Sequence, residues 1–172
     1  PVGIHAGSGY RHPVTTVGWP SYYTEDYAAQ SQAFQSQLSS LITEGVFQKH
    51  RSLKIVMLES GLHWLMPLLW RLTKYWKGTR IEIPWVDRST EEIVREHVRF
   101  SLQPFDGPPG GDDMDKLFEH VGSDELLVFS TDYPHWQYDG DAVLPPGLPS
   151  GLIKKILVDN PLATYPRLRT TA

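Results

Sequence analysis

Read from its first residue, the chain alternates short apolar runs with longer amphipathic ones. Four runs are short and β-prone: Val2 to His5, Lys54 to Leu58, His97 to Leu102 and Leu126 to Thr131. The first, second and fourth are nearly continuous in apolar residues, the pattern of strands covered on both faces, as in parallel sheets. Between them lie helical periodicities. In Asp26 to Gly45, the residues Tyr27, Phe34, Leu38, Leu41 and Ile42 can share one face, and Gly45 supplies a stop. Leu62 to Trp76 predicts a second helix, apolar enough to be mostly buried or to face a partner. Ser89-Thr90-Glu91-Glu92 has the cap and first-turn acids of a helix start. Asp113 to His120 and Pro149 to Leu157 complete the helices, the last halted near Pro161.

Strands alternating with helices predict an α/β architecture with a parallel sheet and right-handed crossovers. The loops that follow the strands are long: Ala6 to Glu25, Trp76 to Arg88, Pro104 to Asp112 and Tyr133 to Pro149. Loops in that position build the sites of α/β proteins. Gly107-Pro108-Pro109-Gly110-Gly111 is expected to form a mobile loop tip. At 172 residues the chain fits one domain with a real core, residues 1–172 as a single α/β unit. The opening Pro1-Val2-Gly3-Ile4-His5 has neither an initiator Met nor a signal-peptide pattern. It is the start expected of a strand entered in mid-protein, with upstream sequence missing.

Charge and cysteine usage narrow the chemistry. A net charge of −4 without a basic block argues against nucleic acid, and no run is long enough to span a membrane. With no cysteine, any metal must be held by His and carboxylates. Two strand ends carry such groups, His5 and Asp132, and in a parallel barrel these ends meet at one mouth. A neutral imidazole and a carboxylate suit a divalent ion, zinc first. Each alone is equally at home as a structural histidine or a loop-bracing aspartate; their recurrence on the first and last strands favours a site. Gly7-Ser8-Gly9 lacks the further glycine and the lysine of a phosphate loop.

Ser130-Thr131-Asp132-Tyr133-Pro134-His135-Trp136 resembles the last-strand motif of the amidohydrolase-related metal-dependent enzymes, a group that includes carboxymuconate semialdehyde and resorcylate decarboxylases. Pro1 to His5 is similar to the family's fifth strand and Lys54 to Gly61 to its sixth. Arg95 to Pro104 is similar to the segment into the seventh, and Asn160-Pro-Leu-Ala-Thr-Tyr to the closing helix. The resemblance implies the C-terminal half, strands five to eight, of a (β/α)8 TIM-like barrel. It implies a metal-dependent hydrolase or non-oxidative decarboxylase of small carboxylated or aromatic substrates, cytoplasmic and homo-oligomeric, with no nucleic-acid or membrane partner. His5 and Asp132 would be metal ligands, Asp132 also orienting or deprotonating a water. Glu59 stands where many members have a His and would be a base or ligand, or else a salt-bridge partner of Arg80 or Arg99. His63 is expected to pack rather than bind. His135 would brace Asp132 or stack on Trp136. Trp19, Tyr22 and Tyr23 would line a substrate pocket or a subunit interface. Arg99 would hold a substrate carboxylate or form a core salt bridge. The family's His-x-His pair is missing from this sequence, which leaves open a non-catalytic half barrel that works as a binding or interaction module.

Overall fold

The computed structural model describes residues 1–5, 17–108 and 111–170. Four parallel strands form one sheet in chain order: β1 (Val2–His5), β2 (Ile55–Leu58), β3 (Val98–Ser101) and β4 (Leu127–Val128). In register, His5 pairs with Leu58 and Ser101 with Val128, so every strand finishes at the same edge of the sheet. Parallel neighbours need crossovers, and helices supply them: α1 (Tyr23–Thr43) with the short α2 (Val46–Lys49), α3 (Leu65–Thr79) with α4 (Thr90–His97), and α5 (Asp112–Val121). After β4 come α6 (Ser150–Lys154), a π-helical turn at Lys155–Asp159 and α7 (Asn160–Thr164).

The core lies where the central strands meet these helices. Met57 and Phe100 are fully buried, with Phe34, Leu38 and Ile42 of α1 and Leu65 and Leu69 of α3 in the same cluster; Val56, on the other face of β2, is buried as well. The α1 contacts recur every four residues, the spacing that stacks side chains on one helix face. β1 differs from the expectation of a strand covered on both faces: Val2 is 51% exposed. It stands at one end of the described sheet, where β2 flanks it on one side only.

Local chemistry explains the helix limits. Gly45 adopts φ +69, the left-handed conformation that ends α1. There the backbone meets Trp85, whose Nε1 donates to the Thr43 carbonyl at 2.7 Å. A Cβ at position 45 would lie 2.5 Å from Trp85 Cδ1. Gly45→Ala is therefore expected to cost about 2–4 kcal/mol, the left-handed penalty plus overpacking, read as a fall in the urea midpoint. Ser89 caps α4 through a reciprocal box, its Oγ accepting from the Glu92 N–H while the Glu92 carboxylate accepts from the Ser89 N–H. The Ser89 hydroxyl, donating to Glu92 Oε2 at 2.8 Å, and then the Ser89 N–H hold the Glu92 carboxyl below its ordinary range.

Two helices depart from their expected form. α3 buries Leu65, Met66 and Leu69 but exposes Trp70 and Tyr75 beside Arg71, Lys74 and Lys77. The apolar count of this segment overstated burial because its aromatics share the cationic face. At the C-terminal end the helical run continues past Pro161 to Thr164, the proline standing at the second residue of α7 directly after the π-helical turn. Asn160 ties this segment to the sheet, its Nδ2 donating to the carbonyls of Asp124 and Leu127 at 2.8 Å each. No helix among the described residues is long and apolar enough to cross a membrane. The expected loop tip at 107–111 and the loop at 6–25 fall partly outside the described residues, and Gly7-Ser8-Gly9 lies wholly outside them.

Candidate active site

At the edge where the strands end, the backbone is strained at two carboxylates. Glu59, one residue beyond β2, has φ 55, and Asp132, beyond β4, has φ 59. A non-glycine residue in this region costs about 1–2 kcal/mol, and such strain gathers at functional sites. The Glu59 conformation is held by its N–H, which donates to the buried Ser101 Oγ at 2.8 Å. One strand further, the Gln103 N–H donates to Ser130 Oγ at 2.8 Å. Serines at successive strand ends thus clamp the loops that carry the candidate groups.

The Glu59 side chain meets His5, with Oε1 2.6 Å from His5 Nε2. An ionised carboxylate only accepts, so His5 carries its proton on Nε2 in this contact. Neither Arg80 nor Arg99 partners Glu59 in any contact recorded for it. His5 is 48% exposed on its side chain, so the pair opens to solvent.

Asp132 begins a tight turn in which the His135 N–H donates to the Asp132 carbonyl at 2.8 Å. That turn folds the imidazole back until Nδ1 lies 3.0 Å from Asp132 Oδ2. The two atoms are close, yet their orientation is wrong for a hydrogen bond: both are buried and neither has a hydrogen-bond partner. The Asp132 side chain is only 10% exposed. A buried carboxylate oxygen without a donor is costly and calls for a cation or donor. His135 is also tilted against Trp136, with the ring centroids 5.8 Å apart. Trp136 in turn meets Tyr27 of α1 edge to face at 5.8 Å, which joins the β4 loop to α1.

Between these groups and α1 opens a cavity of about 260 Å³, lined by Tyr27 and Gln30 of α1, Glu59, Asp106 after β3 and Gln137 after β4, among others. Tyr27 takes the place expected of Trp19 and Tyr22, which are 55% and 77% exposed and do not line this cavity. They precede or cap the first turn of α1, one turn short of it. Arg99 is also elsewhere. Its guanidinium donates to the carbonyls of Arg95 and Val98 and approaches Glu125 at 3.8 Å, all residues that lie at or before strand starts. It therefore sits at the opposite end of the sheet, where burial lowers its pKa. The strand pattern located Arg99 on β3 but not its position along the strand, which decides the end it serves. His63 makes more than packing contacts, with Nδ1 2.9 Å from Asp106 Oδ1 and its ring edge-on to Phe105. Asp106 has no sequence signal beyond its place in the loop after β3, and the periodicity of α1 marks Tyr27 only as a core-face residue.

A sequence model of the amidohydrolase family matches residues 1–167. The chain belongs to the amidohydrolase family. An amidohydrolase of Mycobacterium avium subsp. paratuberculosis K-10 is similar over 95% of this chain and 41% of its own, at 27% identity and TM-score 0.71. A dihydroxybenzoic acid decarboxylase of Polaromonas with bound manganese and 2-nitroresorcinol shares the fold at 20% identity and TM-score 0.61, over 83% of this chain and 42% of its own. A 5-carboxyvanillate decarboxylase of Sphingomonas paucimobilis does so at 19% identity and TM-score 0.57, over 80% and 41%. Among curated proteins none matches. The chain thus spans about two-fifths of the length of these solved relatives. Its four-stranded parallel sheet with helical crossovers is half of a TIM-like (β/α)8 barrel.

Proposed function

We propose that this amidohydrolase-family chain carries part of a divalent-metal site in an enzyme that hydrolyses or non-oxidatively decarboxylates a small carboxylated or aromatic substrate. The observation that carries the reading is Asp132, strained in its backbone, buried, and with one oxygen lacking a donor. His5 and Asp132 would hold the ion, zinc by donor chemistry and manganese by likeness to the Polaromonas decarboxylase. Such an ion takes three or more donors, and no group of three lies together among the described residues. These residues fit part of a coordination shell, and the remaining donors would come from outside them. When bound, the ion supplies Lewis-acid polarisation of a substrate oxygen or an attacking water.

The chain's own groups then have distinct tasks. Glu59 orients His5 through the 2.6 Å contact and can accept a proton from, or return it to, a substrate in the adjoining cavity. Asp132 can orient or deprotonate a water, with His135 holding its carboxylate in place. His135→Ala is expected to weaken metal affinity about 10–100-fold, measured by competition with a chromogenic chelator. The partner class is a small molecule, and the open half barrel is consistent with self-association.

Chelator treatment of the purified enzyme followed by add-back tests the reading. Turnover of a hydroxybenzoate or amide panel should vanish with chelator and return with Zn²⁺ or Mn²⁺. Full activity after complete metal removal, or no metal uptake at all, overturns it; the latter result belongs to a half barrel that binds partners without catalysis, a reading favoured by the incomplete donor set.

A further inference from the structure

The cavity beside Glu59 has a charge character that none of the family likenesses assigns. Of its described lining residues, Glu59 and Asp106 are acidic and none is Lys, Arg or His. Tyr27, Gln30, Ser31 and Gln137 add polar groups without net charge. A carboxylate entering here would meet two carboxylates, each with an imidazole against one oxygen (His5 at Glu59, His63 at Asp106), and no Lys, Arg or His among the described lining residues. A hydroxyl or ammonium group would meet acceptors.

Asp106 is anchored at one oxygen, although its side chain is 62% exposed. Its Oδ1 lies 2.9 Å from His63 Nδ1. On the other side stands Gly61, where any Cβ would fall 2.4 Å from Asp106 Oδ2. Gly61 has φ +65, so both its backbone conformation and the space it leaves suit the carboxylate beside it. His63 itself is seated edge-on to Phe105, and a Cβ at Gly107 would come 2.6 Å from its Nε2. The anchor is therefore packed on the same loop that carries Asp106.

We infer that this cavity receives the hydrogen-bond-donor end of the substrate, a hydroxyl or an ammonium, and repels a carboxylate, with Asp106 as its specificity-determining residue and His63 as the residue that positions it. This rests on the proposed enzymatic reading and deepens it. A substrate bearing both a donor group and a carboxyl would place the donor group here and its carboxyl elsewhere in the site.

The test uses benzylamine and benzoate, which share a ring and differ in the sign of their charge, with benzyl alcohol as the neutral donor. Binding to the full-length enzyme is titrated calorimetrically at neutral pH, after chelation and again after Mn²⁺ addition. In the chelated enzyme, benzylamine and benzyl alcohol should both bind more tightly than benzoate, benzylamine by about tenfold or more. Asp106→Asn keeps an oxygen for His63 and should shrink the benzylamine-to-benzoate ratio about fivefold, near what one charge at contact distance contributes in water. The ratio should also fall as KCl is raised. A ratio within twofold of one, or one that Asp106→Asn leaves unchanged in both metal states, overturns the inference. Chelation removes activity whether or not Asp106 sets this ratio, so failure here and failure of the metal reading are separate results.

Discussion

Asp132→Asn is expected to lower kcat/KM by at least about 10³-fold while leaving the fold as stable as before. Asparagine tolerates the left-handed backbone that Asp132 adopts at φ 59, so the substitution adds no new strain there, as Ala would. It also removes a mostly buried carboxylate whose Oδ2 faces His135 Nδ1 at 3.0 Å without a hydrogen bond, so no hydrogen bond to that oxygen is lost. What is lost is the anionic donor to a divalent ion, and the several kcal/mol of transition-state stabilisation such an ion supplies convert to at least that rate factor. Metal content and thermal midpoint, measured together, distinguish this outcome from simple unfolding. A variant that melts early and loses activity in proportion would make Asp132 a structural brace.

Glu59→Gln is expected to be nearly as severe, about 10²–10⁴-fold in kcat with a small change in KM. The glutamine oxygen can still accept from His5 Nε2, and the Glu59 N–H would still donate to Ser101 Oγ, so the local geometry should persist. The amide cannot take up or return a proton. If kcat is unchanged and only metal affinity falls, Glu59 serves His5 and not the substrate. Steady-state kinetics with saturating metal separate the two.

Much of the barrel half could be read from periodicity, because buried parallel strands and one-faced helices impose patterns that survive in a single sequence. His5 and Asp132 are visible for the same reason, each following an apolar run where the chain leaves the sheet, whereas Glu59 is singled out only by the family resemblance. Their neighbours were not. Asp106 and Tyr27 reach the cavity only because α1 packs over the ends of β2 and β3, a tertiary fact without local signature. Arg99 shows the converse, since a charged residue in a strand says nothing about which end its long side chain reaches. There it satisfies carbonyls at the start of β3. The exposed aromatics of α3 mislead in a third way, because apolar content predicts burial only when the helix face is known. The π turn at Lys155–Asp159 likewise has no sequence mark, and it carries the chain past Pro161.

The central claim is that His5 and Asp132 ligate one divalent ion. The most direct test is a crystal of the full-length enzyme grown with Mn²⁺ and measured at the manganese absorption edge. An anomalous peak is expected at about 2.0–2.3 Å from a nitrogen of His5 and from an oxygen of Asp132. Where that nitrogen is Nε2, its proton is displaced and Glu59 has moved off it or joined the ion. A peak bound to other residues, or no peak while Glu59 stays on His5, would contradict it.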